Sequence, residues 1–185
     1  VVSPLRLEIE TWLMTASDLT PDHTLVTRRL NHKGITVYAN VPLLGGVNDT
    51  DTRIHDLAYA LRCAGIEFHH LYVAGLPVQI SWNAAHPIDS YDVVDIATMV
   101  RREGSGREIP RYIIATPLGE VDYGLTSAMI RQGDAVSVEL CCYVQAYYTS
   151  MAPGFQFPDG TRISENGHPV VSIPGLIKTN DFVVS

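Results

Sequence analysis

At 185 residues the chain has the length of one domain, or of a large piece of one, and could bury roughly 70% of its unfolded surface without a disulfide or metal staple. Apolar residues make up 46% and charged residues 18%, which excludes a disordered chain, and no run of about twenty apolar residues is present to span a bilayer. The net charge of −7 comes with only two lysines, Lys33 and Lys178, which argues against a nucleic-acid surface built on clustered basic residues.

In chain order, Leu5, Leu7 and Ile9 alternate with Arg6, Glu8 and Glu10, and Trp12 follows. This is strand periodicity. Thr20-Pro21-Asp22 opens a helix: Thr caps, Pro takes the first turn and Asp meets the positive end of the dipole. Gly34 stops it, and Ile35–Val41 is the next strand. Asn48-Asp49-Thr50-Asp51 caps a second helix, with Ile54, Leu57, Ala58, Leu61 and Cys63-Ala64 on its apolar side and Gly65 at its end. Ile66–Ala74 is the third strand. Ser90 caps a helix that carries Val93, Ile96, Ala97 and Val100 at helical spacing, and Pro110–Thr116 is the fourth strand. Gly34 and Gly65 mark repeats of about thirty residues, the size of one β/α unit. Strands alternating with helices imply an α/β fold with parallel strands and right-handed crossover helices.

After Thr116 the helical periodicity fades. Ser137–Tyr148 reads as extended, and Pro153-Gly154, Pro158-Asp159-Gly160, Glu165-Asn166-Gly167 and Pro174-Gly175 read as turns between short apolar runs. The tail is expected to be an antiparallel, β-rich extension. The boundaries expected are residues 1–130 for the β/α part and 131–185 for the extension.

Three cysteines, Cys63, Cys141 and Cys142, form no disulfide framework, which points to a reducing, cytoplasmic compartment. No signal peptide is read at the start. The chain opens on Val1 and closes on Phe182-Val183-Val184-Ser185, and a fragment of a longer protein is expected.

In parallel β/α folds the chemistry sits at the carboxyl ends of the strands. Four loops qualify: Thr11–Thr20, Asn40–Asn48, Ala74–Asp89 and Thr116–Thr126. The third is long for a connection, a mark of function. Three segments in these regions carry recognisable words: Val37-Tyr38-Ala39-Asn40-Val41-Pro42-Leu43-Leu44-Gly45-Gly46-Val47-Asn48-Asp49, then Ala64-Gly65-Ile66 through His69-His70-Leu71-Tyr72-Val73-Ala74-Gly75, then Gly104-Ser105-Gly106-Arg107-Glu108-Ile109-Pro110-Arg111-Tyr112. In this order and spacing they resemble the lysine 2,3-aminomutase-like family of radical S-adenosylmethionine enzymes, over roughly residues 5–130.

The resemblance implies a partial TIM-type barrel, the C-terminal part of an isomerase that uses a 4Fe-4S cluster and S-adenosylmethionine to abstract a hydrogen from an amino acid or related small molecule. The protein's share of such chemistry is placement and exclusion of water. The cluster's Cys-x-x-x-Cys-x-x-Cys loop is absent here, so its ligands and the N-terminal barrel half would lie outside this chain, and the isolated chain is expected to be inactive and to self-associate through open sheet edges. Pyridoxal phosphate, which the family uses, is doubtful: Asp122 stands where the Schiff-base lysine belongs, and a carboxylate forms no imine. The two acidic residues that hold the substrate's distal ammonium in the lysine enzyme fall on Gly75 and Ala115, which disfavours lysine as substrate.

By position in that pattern, Asn40 is the amide that contacts S-adenosylmethionine; a turn-forming Asn before Pro42 is the alternative. His69 and His70, as strand neighbours, face opposite sides and hold no metal jointly. His70 and Tyr72 share a face and, with Glu120 and Asp122, make up the expected substrate pocket, the two carboxylates suiting a cationic or hydroxylated group. His86 is a further candidate in the long loop. Asn48-Asp49 reads as a helix cap, and Glu108 as a structural ion pair with Arg107 or Arg111. A small-molecule substrate is the expected partner, without nucleic acid or membrane. Two other readings stay open: a non-catalytic partial-barrel binding or assembly module, and a non-radical α/β enzyme using Glu120 and Asp122.

Overall fold

The structure, a computed structural model, describes residues 6–133 and 135–178. The expected strand start at Leu5 and the closing run Phe182–Ser185 lie outside them. In chain order the elements are β1 (Glu8–Trp12), a 3-10 turn (Ala16–Asp18), α1 (Pro21–His32), β2 (Thr36–Pro42), α2 (Asp51–Ala64), β3 (Glu67–Ala74), α3 (Pro77–Asn83), β4 (Ile88–Asp89), α4 (Ser90–Glu103), β5 (Arg111–Thr116), β6 (Gly119–Asp122), β7 (Ser127–Gln132), β8 (Ala135–Leu140), α5 (Gln145–Met151), β9 (Arg162–Ile163) and β10 (Pro169–Ile177). The fold is α/β with two mixed sheets. The first has the order β1-β2-β3-β5-β6, and the second β4-β10-β8-β7, with β9 on β10. The chain divides into two compact units, Val1–Leu71 with Asp92–Arg111, and Tyr72–Tyr91 with Tyr112–Ser185.

The first unit is the β/α repeat. The Thr20 hydroxyl accepts from the His23 amide, Pro21 takes the first turn of α1, and Gly34 and Gly65 follow α1 and α2 at positive φ. β1 and β2 are parallel, Glu10 opposite Tyr38 and Trp12 opposite Asn40. Ile54, Leu57 and Leu61 of α2 are fully buried, each worth about 1.5–3 kcal/mol relative to exposure. Cys63 corrects the expectation: it is exposed, because the buried stripe Ile54, Leu57, Ala58, Leu61, Ala64 runs at helical spacing and position 63 falls off it.

Two polar assignments also change. The cap of α2 is Thr50, whose hydroxyl accepts from the Arg53 amide. Asn48 instead is fully buried and ties two loops together: its Oδ1 accepts from the Leu44 amide at 2.7 Å, and its Nδ2 donates to the carbonyls of Met14 at 2.9 Å and Pro42 at 3.0 Å. Glu108 pairs with Arg62 of α2 at 3.2 Å and accepts from the Ser105 amide at 2.7 Å. The expected partners Arg107 and Arg111 are neighbours in sequence, but the buried carboxylate takes the guanidinium that folding brings to it.

The second unit holds the tail, and it is less purely β than expected. β7 and β8 form an antiparallel hairpin, and β10 is antiparallel to β8 but parallel to β4. The strand expected to run on to Tyr148 ends at Leu140, and Gln145–Met151 is helix α5. Tyr148 anchors that helix: its ring stacks on Phe155 and meets Phe157 edge-on, and its hydroxyl donates to the Leu118 carbonyl at 2.7 Å. Pro174-Gly175 is no turn but an irregularity inside β10, where a Cβ on Gly175 would lie 2.5 Å from that of Asn83 in α3. The long loop Ala74–Asp89 contains α3 and β4. Gly154, Gly160 and Gly167 do sit in turns, at positive φ.

Candidate functional site

Four polar residues of β1 and β2 share one side of the first sheet. Ile9, Thr11 and Val37 line a cavity with α1 residues Val26 and Leu30, so that side of β1 and β2 faces the helix. Strand alternation puts Glu8, Glu10, Tyr38 and Asn40 on the other. There the Asn40 Nδ2 donates to Glu10 Oε2 at 3.1 Å. Asn40 is only 2% exposed, and its Oδ1 is buried with no hydrogen-bond partner among the described residues. An acceptor in that state costs about 1–3 kcal/mol.

The histidines depart from the strand-parity expectation. The rings of His69 and His70 stack with centroids 3.8 Å apart instead of parting to opposite faces. His69, which the expected pocket omitted, is the ring beside the polar set: it lies 4.9 Å from the Tyr38 ring, and its Nδ1 is 4.0 Å from Glu10 Oε1. The Tyr38 hydroxyl in turn donates to Glu8 Oε1 at 3.5 Å. His70 is buried within this stack.

In the second unit two expected pocket residues meet. The Tyr72 hydroxyl donates to Glu120 Oε1 at 2.9 Å. Tyr72 itself is buried, and its carbonyl accepts from the fully buried Gln79 Nε2 at 2.7 Å. Glu120 and Asp122 lie not in a loop but on β6, two residues apart and so on one face, opposite Ala115 and Ile113 of β5. The Tyr143 hydroxyl donates to the Glu120 carbonyl at 3.3 Å. His86 stands apart from this group, its ring 5.0 Å from that of Trp82 at the end of α3.

At the tip of β3 the backbone closes on β5. Gly75 has φ +98°, and a Cβ there would lie 2.8 Å from the Ala115 carbonyl carbon and closer still to its oxygen. No side chain, acidic or otherwise, fits at position 75.

Three phenols are buried enough to resist ionisation. Burial alone pushes Tyr112 up to about 12, and its hydroxyl has no hydrogen-bond partner among the described residues. Tyr123 also rises to about 12, through burial and then the charge of Asp89. Tyr148 reaches about 12, through burial and then its neighbour Tyr143.

The donor sets fit the implied cofactors unequally. Asn40 offers a buried acceptor in need of a donor, which suits the ribose or amino-acid part of S-adenosylmethionine. Cys63, Cys141 and Cys142 are exposed and divided between α2 and the turn after β8, and no group of three or more metal-ligating side chains occurs among the described residues. They do not fit a cluster. Pyridoxal phosphate is not fitted either: Lys33 caps α1, Lys178 follows β10, and β6 carries Asp122. No helix among the described residues is long and apolar enough to cross a membrane.

Of these features, Glu10 was not singled out in the sequence, whereas His69 was read there beside His70, as one of two strand neighbours facing opposite sides. The signal for Glu10 was present, as a charge alternating with apolar residues on β1. Compared with known proteins, the chain matches no family model and no curated protein.

Proposed function

We propose that this chain is the C-terminal part of an aminomutase-like radical S-adenosylmethionine enzyme, acting on an amino acid or related small molecule by hydrogen abstraction. Its first sheet is then a section of a TIM-type barrel, with the polar side of β1 and β2 inward. The observation that carries the reading is Asn40: a buried amide near the carboxyl end of β2, held by Glu10 on one edge and with no partner among the described residues on the other. When bound, the cluster and S-adenosylmethionine supply the hydrogen abstraction. In the first unit Asn40 orients the ligand; in the second, Glu120 is the group for the substrate, its carboxylate fixed by the Tyr72 hydroxyl.

The edge of the first sheet supports a missing neighbour. β1 is its terminal strand, Leu7 and Trp12 are half exposed or more, and an apolar cavity of about 250 Å³ opens between β1 and α1. An N-terminal barrel half would cover that apolar surface. The closure of Gly75 on Ala115 supports a substrate without lysine's distal ammonium, since neither position offers a carboxylate. Pyridoxal phosphate has no part in the proposal.

The test is anaerobic reconstitution of the full-length protein with iron and sulfide, followed by reduction in the presence of S-adenosylmethionine. The proposal expects 5′-deoxyadenosine. Absence of cleavage with a properly reduced cluster would count against it.

A further inference from the structure

We infer that Glu10 is a positioning residue that sets which edge of the Asn40 amide meets the ligand. A carboxylate only accepts hydrogen bonds, so the amide edge that faces Glu10 Oε2 at 3.1 Å must be Nδ2. The orientation follows from this chemistry, and it leaves Oδ1, buried and unpartnered among the described residues, as the edge available to a ligand. The other oxygen of Glu10 lies 4.0 Å from His69 Nδ1, beyond hydrogen-bond reach, and the His69 ring rests against Tyr38. The register of β1 on β2 brings Glu10 and Asn40 together: Glu10 lies opposite Tyr38, two residues along from the Trp12–Asn40 pair and so on the same face. The ligand group recognised there must carry an N–H or O–H donor, a ribose hydroxyl or an ammonium. An acceptor such as a carboxylate would face the wrong edge.

This inference rests on the reading of Asn40 as a contact to S-adenosylmethionine, and the experiment separates the two. Binding of S-adenosylmethionine to the anaerobically reconstituted full-length protein is measured by equilibrium dialysis for the wild type, Glu10→Gln, Glu10→Ala, Asn40→Ala and the double variants. Glu10 is 57% exposed, so its loss leaves the fold standing. Glu10→Ala weakens binding about three- to tenfold, the range of one partly screened charge-assisted hydrogen bond. Glu10→Gln weakens it at least as much, because glutamine bonds either edge of the amide and lets Oδ1 turn away. In the Asn40→Ala background either change costs less than about twofold, since Glu10 acts through Asn40. If Asn40→Ala is unstable, Asn40→Ser closes the same cycle. Full rescue by glutamine, or equal losses in both backgrounds, overturns the positioning role. A wild-type protein that does not bind S-adenosylmethionine overturns the reading beneath it, and the inference with it.

Discussion

Replacing Gly75 by alanine tests the closure at the end of β3. Two costs add. The first is conformational: at φ +98° an L side chain is disfavoured by about 1–2 kcal/mol. The second is steric. The new Cβ meets the backbone of Ala115, not the end of a flexible side chain, so β3 and β5 must part, an overpacking cost of about 1–3 kcal/mol. A total near 3 kcal/mol lowers Tm by about 6–12 °C for a chain of this length. Gly124→Ala is the control, at φ +70° with nothing within 4 Å of its Cβ. It bears only the first cost, and its Tm falls by about 2–8 °C, less than that of Gly75→Ala. Thermal melts of the two variants, followed by circular dichroism, give the comparison. Equal shifts would mean that the backbones of Gly75 and Ala115 are not packed together, and the argument against a distal-ammonium substrate would lose its structural support.

Other outcomes follow from the same geometry. Asn48→Ala removes three hydrogen bonds of a fully buried amide and costs about 3 kcal/mol in denaturant melts; a loss below about 1 kcal/mol would refute the loop-tying role. Arg62→Ala leaves the carboxylate of Glu108 buried without its cation, and Glu108→Gln in the same chain restores most of the lost stability; no rescue would show that the pair is not what Arg62 contributes. Tyr112, Tyr123 and Tyr148 stay protonated in the folded chain until near pH 12, whereas unfolded tyrosines ionise near 10. With the folded value raised, the native state holds more protons between the two, so stability is level below pH 10 and falls as pH rises towards 12; absorbance at about 295 nm against pH reads this directly, and full ionisation of all nine tyrosines near pH 10 would contradict it. The isolated chain self-associates through the β1 edge and its apolar cavity; a monomer by light scattering at high concentration would mean that this surface is closed in another way.

The repeat of strand, helix and glycine stop was legible because its causes are local: alternation, helical spacing, a Thr-Pro-Asp start, a glycine at positive φ. What the sequence hid was mostly non-local. α5 follows a run of alternating residues and is rich in Tyr, which favours strands; it is a helix because Tyr148 packs on Phe155 and Phe157. The cap of α2 was ambiguous among Asn48, Asp49 and Thr50, since all three are cap formers, and burial of Asn48 decided it. Glu108 found Arg62, forty-six positions away, where reading by neighbours favoured Arg107 and Arg111. The site followed the same division. Asn40, Tyr72 and Glu120 were visible as polar residues at strand ends. Glu10 meets Asn40 only once β1 lies beside β2 in register, and His69 comes near Glu10 only once β3 takes its place on the other side of β2, relations that no single stretch of chain contains.

The most direct test of the radical reading is to quantify 5′-deoxyadenosine in the full-length, cluster-loaded protein and in its Asn40→Ala variant, after reduction with dithionite under anaerobic conditions. The account predicts product from the wild type and at least about a tenfold loss in the variant at limiting S-adenosylmethionine, with the cluster's electron paramagnetic resonance signal retained in both. A wild type that carries a reducible cluster yet forms no 5′-deoxyadenosine, or a variant that cleaves as well as the wild type, would contradict it.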